Sequence, residues 1–171
     1  MPVARRVRRL ASMPIECLIM RTADDRFMRE AISLARANIA RGGRPFGAVI
    51  VRDGERIASA ANRIHDTCDP TAHAELLAIR EAGRLLRSPR LDGCVIYASG
   101  HPCPMCLAAM HLCGVSAAYY AYSNEDGEPY GLSTAAIYAQ MALPPAAQSI
   151  VVAQSRPAME NGLYAEWAAL R

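Results

Sequence analysis

The sequence predicts an α/β domain in which a central, mixed, five-stranded sheet is covered by helices. Two observations support this prediction. The dipeptide Asp53-Gly54 is a hairpin signal between two short apolar runs, and beyond it strand-like and helix-like segments alternate. Length and composition agree, because 171 residues, of which 52% are hydrophobic and 20% charged, suffice for one domain with a full core.

The first half of the chain is predicted to contain one helix and the hairpin. Apolar residues recur at helical spacing from Asp24 to Arg41, and Gly42-Gly43 ends this helix. The runs Phe46–Val51 and Arg56–Ala61 are predicted strands on either side of the hairpin turn. The segment Asn62–Asp69 is predicted to be a loop.

The second half is predicted to alternate helices with strands. Asp69-Pro70 suits an N-cap followed by proline at the first helical position, which predicts a helix from Pro70 to about Leu86. Proline can start a helix but not continue one, so a second helix is predicted from Pro102. This second helix is predicted to end near Cys113. The remaining predicted elements are a strand at Cys94–Ala98, a strand at Val115–Tyr122, a polar loop at Asn124–Gly131, a helix at Ser133–Met141, a strand at Ser149–Ala153 and a terminal helix at Gly162–Arg171.

Residues 1–21 are predicted to form a disordered extension, and residues 22–171 the folded domain. The first 20 residues contain four Arg and one acidic residue, without a long apolar run before a small-residue cleavage site, which disfavours a secretory signal. A transit peptide and an upstream start site are the alternatives. The sequence has no apolar run of about 20 residues, so no membrane span is expected.

The charge distribution favours a small ligand over nucleic acid. All 19 basic residues are Arg, and the formal net charge is +3. Outside the first 20 residues, 15 Arg balance 15 acidic residues, and from residue 91 onward two Arg face six acidic residues. Nucleic-acid binders normally carry a basic surface.

Six cysteines are present, and they do not suggest a disulfide framework. Two of them form a C-x-x-C motif with a histidine upstream, which is typical of a metal site. In a chain with a sizeable core the others are expected to be buried, reduced thiols. The sequence therefore predicts a cytoplasmic location.

Two short motifs carry the chemistry. The runs Pro70-Thr71-Ala72-His73-Ala74-Glu75 and Pro102-Cys103-Pro104-Met105-Cys106 combine H-x-E with P-C-x-x-C, the signature of zinc-dependent nucleobase deaminases. Catalytic zinc has three protein ligands and an open position, so His73, Cys103 and Cys106 are predicted to bind one zinc ion. Glu75, two residues from His73, is predicted to be the catalytic proton carrier rather than a ligand.

A fourth protein ligand would indicate a structural zinc site instead. The candidates are His101, which precedes Pro102, and four further side chains in the same stretch of sequence, namely His65, Cys68, His111 and Cys113. Cys113 is expected in the core, and His65 and Cys68 are expected on the pocket wall. A non-catalytic zinc domain that binds a partner is thus a further hypothesis, but it gives Glu75 no role.

The two motifs resemble those of the cytidine-deaminase-like superfamily. Over about residues 22–170 the chain is most similar to bacterial guanine deaminases and related nucleoside deaminases, with tRNA adenosine deaminases close by. This resemblance implies a three-layer α-β-α fold, one zinc ion per subunit and hydrolytic release of ammonia. Pro45–Val49 matches the strand at the pocket floor in both branches, and Asn62 matches the asparagine that hydrogen-bonds the purine.

The resemblance also implies further substrate-binding residues and a homodimer. Asp126 lies in a loop like that of guanine deaminases, where an aspartate contacts the base. Tyr164 and Trp167 lie in a C-terminal segment like the one that crosses to the partner subunit and caps its active site. Phe46, which can pack on the ring face, and Ala72 complete the predicted substrate-binding set.

The leading hypothesis is deamination of a free aminated nucleobase or related heterocycle, guanine or a close analogue first. The alternative is adenosine-to-inosine deamination in tRNA, supported mainly by the run Arg80, Arg84, Arg87 and Arg90. Two departures from the family leave the substrate open among guanine, triazines, cytosine-type bases and nucleosides. His101 stands where the family usually has Glu, and Leu132-Ser133-Thr134 lacks the acidic residues usual in guanine deaminases.

Overall fold

The computed structural model describes residues 24–158 and 162–171, so the predicted extension at residues 1–21 lies outside the described part of the chain. The described residues fall into two compact units, of which the first ends at Ala135 and the second begins at Ala136. None of the described helices is long and apolar enough to cross a membrane.

The first unit contains the sheet and the helices that cover it. In chain order its elements are α1 Asp25–Ile39, β1 Gly47–Arg52, β2 Glu55–Ala61, α2 Ile64–Thr67, α3 Ala74–Leu86, β3 Cys94–Gly100, α4 Pro104–Cys113, β4 Ala117–Tyr122, α5 Asn124–Gly127 and a 3-10 turn at Glu128–Tyr130. Helix α6, Ala135–Met141, crosses the boundary, and the second unit continues with a 3-10 turn at Pro145–Ala147 and helix α7 at Leu163–Ala169.

The sheet is mixed, as predicted, with strand order β2-β1-β3-β4. Strand β1 is antiparallel to β2 and β3, and β3 is parallel to β4. Val49 of β1 lies opposite Ser59 on one side and Tyr97 on the other. The antiparallel pairing of the two central strands, β1 and β3, therefore joins the hairpin to the parallel β3-α4-β4 crossover.

Strand β1 is buried on both faces, which produces the three layers. Ala48 and Ile50 belong to a core cluster with residues of α3 and α4. Val49 and Val51 point the other way and pack with Phe27 of α1. Burying a side chain of this size contributes about 1.5–3 kcal/mol, so both faces of β1 anchor helices to the sheet.

The prediction of five strands was wrong for the described residues, which form four. The predicted fifth strand, residues 149–153, is not part of the sheet. Its apolar residues Ile150, Val151 and Val152 are 72%, 88% and 75% exposed. A strand requires a neighbour that exchanges backbone hydrogen bonds with it, and β-forming residues alone do not provide one.

Both helices that carry the sequence motifs begin later than predicted. Helix α3 starts at Ala74 rather than Pro70, because residues 69–72 form a hydrogen-bonded turn in which the Ala72 N–H donates to the Asp69 carbonyl (3.1 Å). Helix α4 starts at Pro104 rather than Pro102. Short helices α2 and α5 also occupy parts of the two predicted loops.

Close packing of α1 on the sheet depends on Gly47. A Cβ atom added there would clash with the Ala31 carbonyl oxygen and would lie 2.8 Å from Leu34 Cβ and 2.9 Å from the Ala35 nitrogen. Two of these three atoms belong to helix backbone, which cannot move aside cheaply. The absence of a side chain at residue 47 thus sets the distance between α1 and β1.

We predict that Gly47→Ala lowers the free energy of unfolding by about 1–3 kcal/mol, the usual cost of overpacking. Urea denaturation with a fixed m-value measures this change. Gly83→Ala, where an added Cβ meets only the Ser88 carbonyl oxygen at 3.2 Å, is the control and should change stability less. An unaltered urea midpoint for Gly47→Ala would contradict the packing argument.

Candidate metal centre and base-binding pocket

His73 lies at the start of α3, where a turn fixes the direction of the chain. The Asp69 carboxylate accepts hydrogen bonds from the Thr71 N–H and the Thr71 hydroxyl, both at 2.7 Å. His73 then adopts an extended conformation as the N-cap residue of α3, with φ −73° and ψ 148°. The imidazole is therefore presented at the first turn of the helix.

Cys103 and Cys106 lie at the start of α4. Cys103 is the N-cap residue, Pro104 occupies the first turn and Cys106 is three residues beyond Cys103. Residues three apart at the start of a helix lie on the same side, and the two Sγ atoms are 3.5 Å apart. Both thiols are buried.

The two helix starts bring the three predicted ligands together. His73 Nδ1 lies 3.5 Å from Cys103 Sγ and 3.6 Å from Cys106 Sγ. With zinc–sulfur bonds of about 2.3 Å and a zinc–nitrogen bond of about 2.1 Å, tetrahedral ligand atoms lie about 3.6–3.8 Å apart. The three donors therefore fit one zinc ion, and within the described part of the chain they are the group of His, Cys and acidic side chains that can hold a metal.

Electrostatics at the site favour thiolate. Hydrogen bonding to Cys106 and His73 lowers the pKa of the Cys103 thiol to about 4, whereas the same contact with Cys103, together with burial, raises the pKa of Cys106. The contact between the two sulfur atoms therefore favours a thiolate at Cys103 and a protonated thiol at Cys106. The positive ends of the α3 and α4 dipoles further favour negative charge at this position.

Glu75 lies in the first turn of α3 and is only 6% exposed. Burial raises the pKa of its carboxyl group above the ordinary value. Its carboxylate reaches the Cys106 thiol but is not a member of the three-residue group of ligands. Burial thus favours the protonated form of Glu75, and a carboxyl group beside a metal site can accept a proton and release it again.

None of the predicted alternative ligands joins the described three-residue group. His65 pairs with Asp66 at 2.9 Å, and Cys113 contacts the Met110 carbonyl oxygen. Cys68 is exposed. Three protein ligands leave a fourth position open for water or substrate, the pattern of catalytic zinc.

Backbone hydrogen bonds link Asn62 to Phe46, and they link the next residue, Arg63, to Ala72 beside the zinc ligand His73. The Asn62 N–H donates to the Phe46 carbonyl (3.0 Å), and the Ala72 carbonyl, one residue before His73, accepts from the Arg63 N–H (2.9 Å). Asn62 is 1% exposed, and its Oδ1 accepts from the Ile64 N–H. Its Nδ2 is buried and has no hydrogen-bond partner among the described residues, so a strong donor is available there.

Asp126 lines a cleft of about 250 Å³, and Phe46 belongs to the same lining. The cleft runs between α1 and the loop after β4, and its lining includes neither the zinc ligands nor Asn62. The Asp126 Oδ2 accepts from the Ser123 N–H at 2.8 Å within a capping box. This bond fixes the carboxylate and leaves Oδ1 without a hydrogen bond to the described residues.

Asn124 joins His101 and Thr134, which belong to the two departures from the family pattern, in a hydrogen-bonded group that the sequence did not indicate. The Asn124 side chain contacts His101 Nδ1 through Nδ2 (3.4 Å) and accepts at Oδ1 from the Thr134 N–H (2.9 Å) and hydroxyl (3.2 Å). The group holds the loop after β4 against the residue that precedes Pro102. Local motifs could not reveal these contacts, because the three residues are separated by 23 and 10 positions.

Tyr164 and Trp167 belong to α7 in the second unit, where they are 86% and 56% exposed. The Arg171 guanidinium lies over the Trp167 ring, 3.9 Å from its centroid. The structure of one chain therefore confirms the terminal helix, and the proposed contact of these two side chains with a partner subunit stays a prediction.

We predict one zinc ion per chain in the purified protein and its loss in Cys106→Ala, because two remaining ligands hold zinc poorly. Cys113→Ala is the matched control, since it removes a buried thiol from the same helix without changing any of the three zinc ligands. Elemental analysis of each protein gives the metal content. Full zinc occupancy in Cys106→Ala would show that the ligand assignment is wrong.

Comparisons of sequence support the metal centre. A model of the zinc-binding region of cytidine and deoxycytidylate deaminases matches residues 21–122. The guanine deaminase of Bacillus subtilis is 42% identical over 119 residues, which cover 69% of this chain and 76% of that protein. The tRNA-specific adenosine deaminase of Aquifex aeolicus is 44% identical over 86 residues, which cover 50% of this chain and 57% of that protein.

Known structures show the same fold. The X-ray structure of Bacillus subtilis guanine deaminase is similar with a TM-score of 0.80 at 36% identity, over 86% of this chain and 95% of that one. Another similar structure contains 8-azaguanine; its TM-score is 0.61 at 32% identity, over 63% of each chain. Because the family match includes both motifs and every predicted zinc ligand, this chain belongs to the zinc-binding cytidine and deoxycytidylate deaminase family.

Proposed function

We propose that the protein hydrolyses the exocyclic amino group of a free purine base, with guanine or a close analogue as substrate. In this reaction water adds to the amino-bearing ring carbon, the carbon–nitrogen bond breaks, a carbonyl forms and ammonia leaves. The observation that carries the proposal is the buried Glu75 beside a three-ligand zinc site. A structural zinc site has no use for such a carboxylate, which argues against the hypothesis of a non-catalytic zinc domain.

A zinc ion held by the three ligands would bind a water molecule at its open fourth position, and this water would lose a proton near neutral pH. The chain's own contribution is proton transfer by Glu75. This carboxylate takes a proton from the attacking water and passes it to a ring nitrogen. It then takes the second proton from the added hydroxyl group, as the carbonyl forms, and gives it to the departing amine, which leaves as ammonia. Burial raises the pKa of this carboxyl group above its ordinary value, which is the direction that helps it hold a proton and then pass it on.

Recognition of a planar base is assigned to Asn62, Asp126 and Phe46, of which Asn62 is buried and Asp126, on the loop after β4, is exposed. The unpartnered Nδ2 of Asn62 can donate to a ring nitrogen or carbonyl oxygen, and an ionised Asp126 accepts only. Guanine offers both acceptors and N–H donors, whereas adenine would leave Asp126 partly unmatched. The Phe46 ring can pack on one face of the base; a Cβ at Gly100 would lie 2.8 Å from that ring.

Deamination of adenosine in tRNA is the second candidate, because the Aquifex aeolicus relative bears that name. Side-chain pairing weakens it. Arg84 pairs with Glu81 and Arg90 pairs with Asp92, both at 2.7 Å, so two of the four Arg residues in the basic run are already neutralised. Each phosphate contact needs a cation, and the balance of the charges favours a free base.

A homodimer is part of the proposal. In the second unit the segment around Ile150, Val151 and Val152 and the helix that carries Tyr164 and Trp167 expose apolar side chains to solvent. A second copy of the chain that covers them would remove this surface from water. We infer that Tyr164 and Trp167 cap the partner's pocket, as the sequence predicted. The free thiols of the described cysteines support a reducing, cytoplasmic location.

An ammonia-release assay over free bases, nucleosides and a tRNA tests the proposed reaction. We expect turnover of guanine or a close analogue and little release from tRNA. Inosine formation in tRNA without turnover of any free base would reverse the ranking of the two candidates.

We expect Glu75→Gln to keep zinc and fold but to lose activity by about 100-fold or more, the scale of general acid–base catalysis. Glu81→Gln, which changes a partly exposed side chain of the same helix, is the control and should keep near-normal turnover. The assay uses the best substrate from the panel, and zinc content is measured alongside. Near-normal activity in Glu75→Gln would show that Glu75 is not the proton carrier.

Deletion of residues 161–171 should reduce activity without removing zinc, because it takes away Tyr164 and Trp167 but no ligand. Double substitution of these two residues by alanine separates loss of their side chains from loss of the segment. Light scattering reports the oligomeric state of each protein. A fully active truncated protein, or a monomeric full-length protein, would contradict the proposed capping of one subunit by another.

A further inference from the structure

Asn38 is a polar residue on the buried face of α1. Its side chain is 0% exposed, and it continues the inward-facing series of Phe27, Ala31 and Ala35. An amide is costly to bury unless hydrogen bonds replace those it made to water. Its presence in an apolar series therefore calls for a role that an aliphatic side chain could not fill.

The Asn38 side-chain amide donates hydrogen bonds to two backbone carbonyl groups, one shortly before β1 and one directly after β2. Its Nδ2 donates to the Arg44 carbonyl at 2.8 Å and to the Asn62 carbonyl at 2.9 Å. Both protons of the amide are thereby used. Its Oδ1 accepts from the exposed Arg41 side chain at 3.2 Å.

Backbone hydrogen bonds link the same segments to Phe46. The Phe46 N–H donates to the Arg44 carbonyl (2.8 Å), and the Asn62 N–H donates to the Phe46 carbonyl (3.0 Å). Asn38 thus closes a ring of hydrogen bonds that contains the backbone of Phe46 and Asn62. These are the two residues assigned to the face and the edge of the base.

We propose that Asn38 is a positioning residue for base recognition, which acts by holding Asn62 and Phe46 in register with the zinc ligands. It makes no contact with substrate, since it is wholly buried and does not line the cleft. The inference rests on the proposed function. The Asn62 side-chain amide is held at Oδ1 by the Ile64 N–H, and Asn38 holds the backbone carbonyl of the same residue, so the two bonds together orient the unpartnered Nδ2.

Gly43 provides an independent way to move the same amide. The Gly43 N–H donates to the Asn38 carbonyl (2.9 Å), and a Cβ at residue 43 would clash with Asn38 Nδ2 and lie 2.7 Å from its Cγ. Gly43→Ala therefore displaces the Asn38 side chain while leaving its chemistry intact. The added methyl would also meet His65 Cε1 at 2.6 Å.

A double-mutant cycle between Asn38 and Asn62 tests the proposal. We expect Asn38→Ala to keep zinc and to lower kcat/KM for the preferred base about tenfold, which corresponds to about 1.4 kcal/mol, mainly through a higher KM. In an Asn62→Ala background the same change should cost clearly less, because Phe46 is then the only one of the two positioned residues whose side chain remains. Arg41→Ala, which removes only the contact at Oδ1, is the control and should stay within about twofold of wild type.

A folded Asn38→Ala protein with wild-type kcat/KM would overturn the inference, and so would a tenfold loss that persists in the Asn62→Ala background. If Asn38→Ala does not fold, Gly43→Ala replaces it in the same cycle, where additive losses again contradict the role. A wild-type protein that deaminates no base would refute the proposed function and this inference together. Additive losses with an active wild type refute the inference alone.

Discussion

The structure depends on holding the first turns of α3 and α4 together at one edge of the sheet. The zinc donors come from segments 30 residues apart in sequence, yet His73 Nδ1 and Cys103 Sγ are 3.5 Å apart. Small buried residues of α3, Ala74, Ala78 and Ala82, pack against the same core cluster as Cys106 and Met110 of α4. The packing of two helices on the central strands thus places three ligands within bonding distance of a single ion, and the metal in turn stabilises that packing when it binds.

Burial determines what each polar group around the site can do. Glu75 has a raised pKa because it is removed from water, and a proton carrier needs this property. Asn62 leaves its Nδ2 unpartnered inside the protein, which is costly in the free protein and favourable once a ligand accepts the hydrogen bond. Asn38, equally buried, has both amide protons satisfied. The unpartnered Nδ2 of Asn62 is therefore available to a ligand, whereas the Asn38 amide, whose protons are both used within the protein, serves to hold the Asn62 backbone.

The zinc ligands could be predicted from the sequence, because their identity and spacing express the coordination chemistry directly. The α/β class followed from hydrophobic periodicity, but the fifth strand was wrong, since the apolar run at residues 149–153 says nothing about where a neighbouring strand lies. The start of α3 was misplaced, because the Asp69–Thr71 turn competes with helix at Pro70. Asn38 left a signal, a polar residue within an apolar helical series. The His101, Asn124 and Thr134 contacts left none, since their meeting depends on tertiary packing.

The central claim is a zinc ion with two sulfur ligands, one imidazole and one exchangeable position beside Glu75. X-ray absorption at the zinc edge of the purified protein tests it most directly. The account predicts two sulfur neighbours at about 2.3 Å and two lighter neighbours at about 2.0–2.1 Å, with one of the lighter neighbours replaced when a competitive ligand is added. Three or four sulfur neighbours, or a shell that no ligand alters, would show a closed structural site and contradict the account.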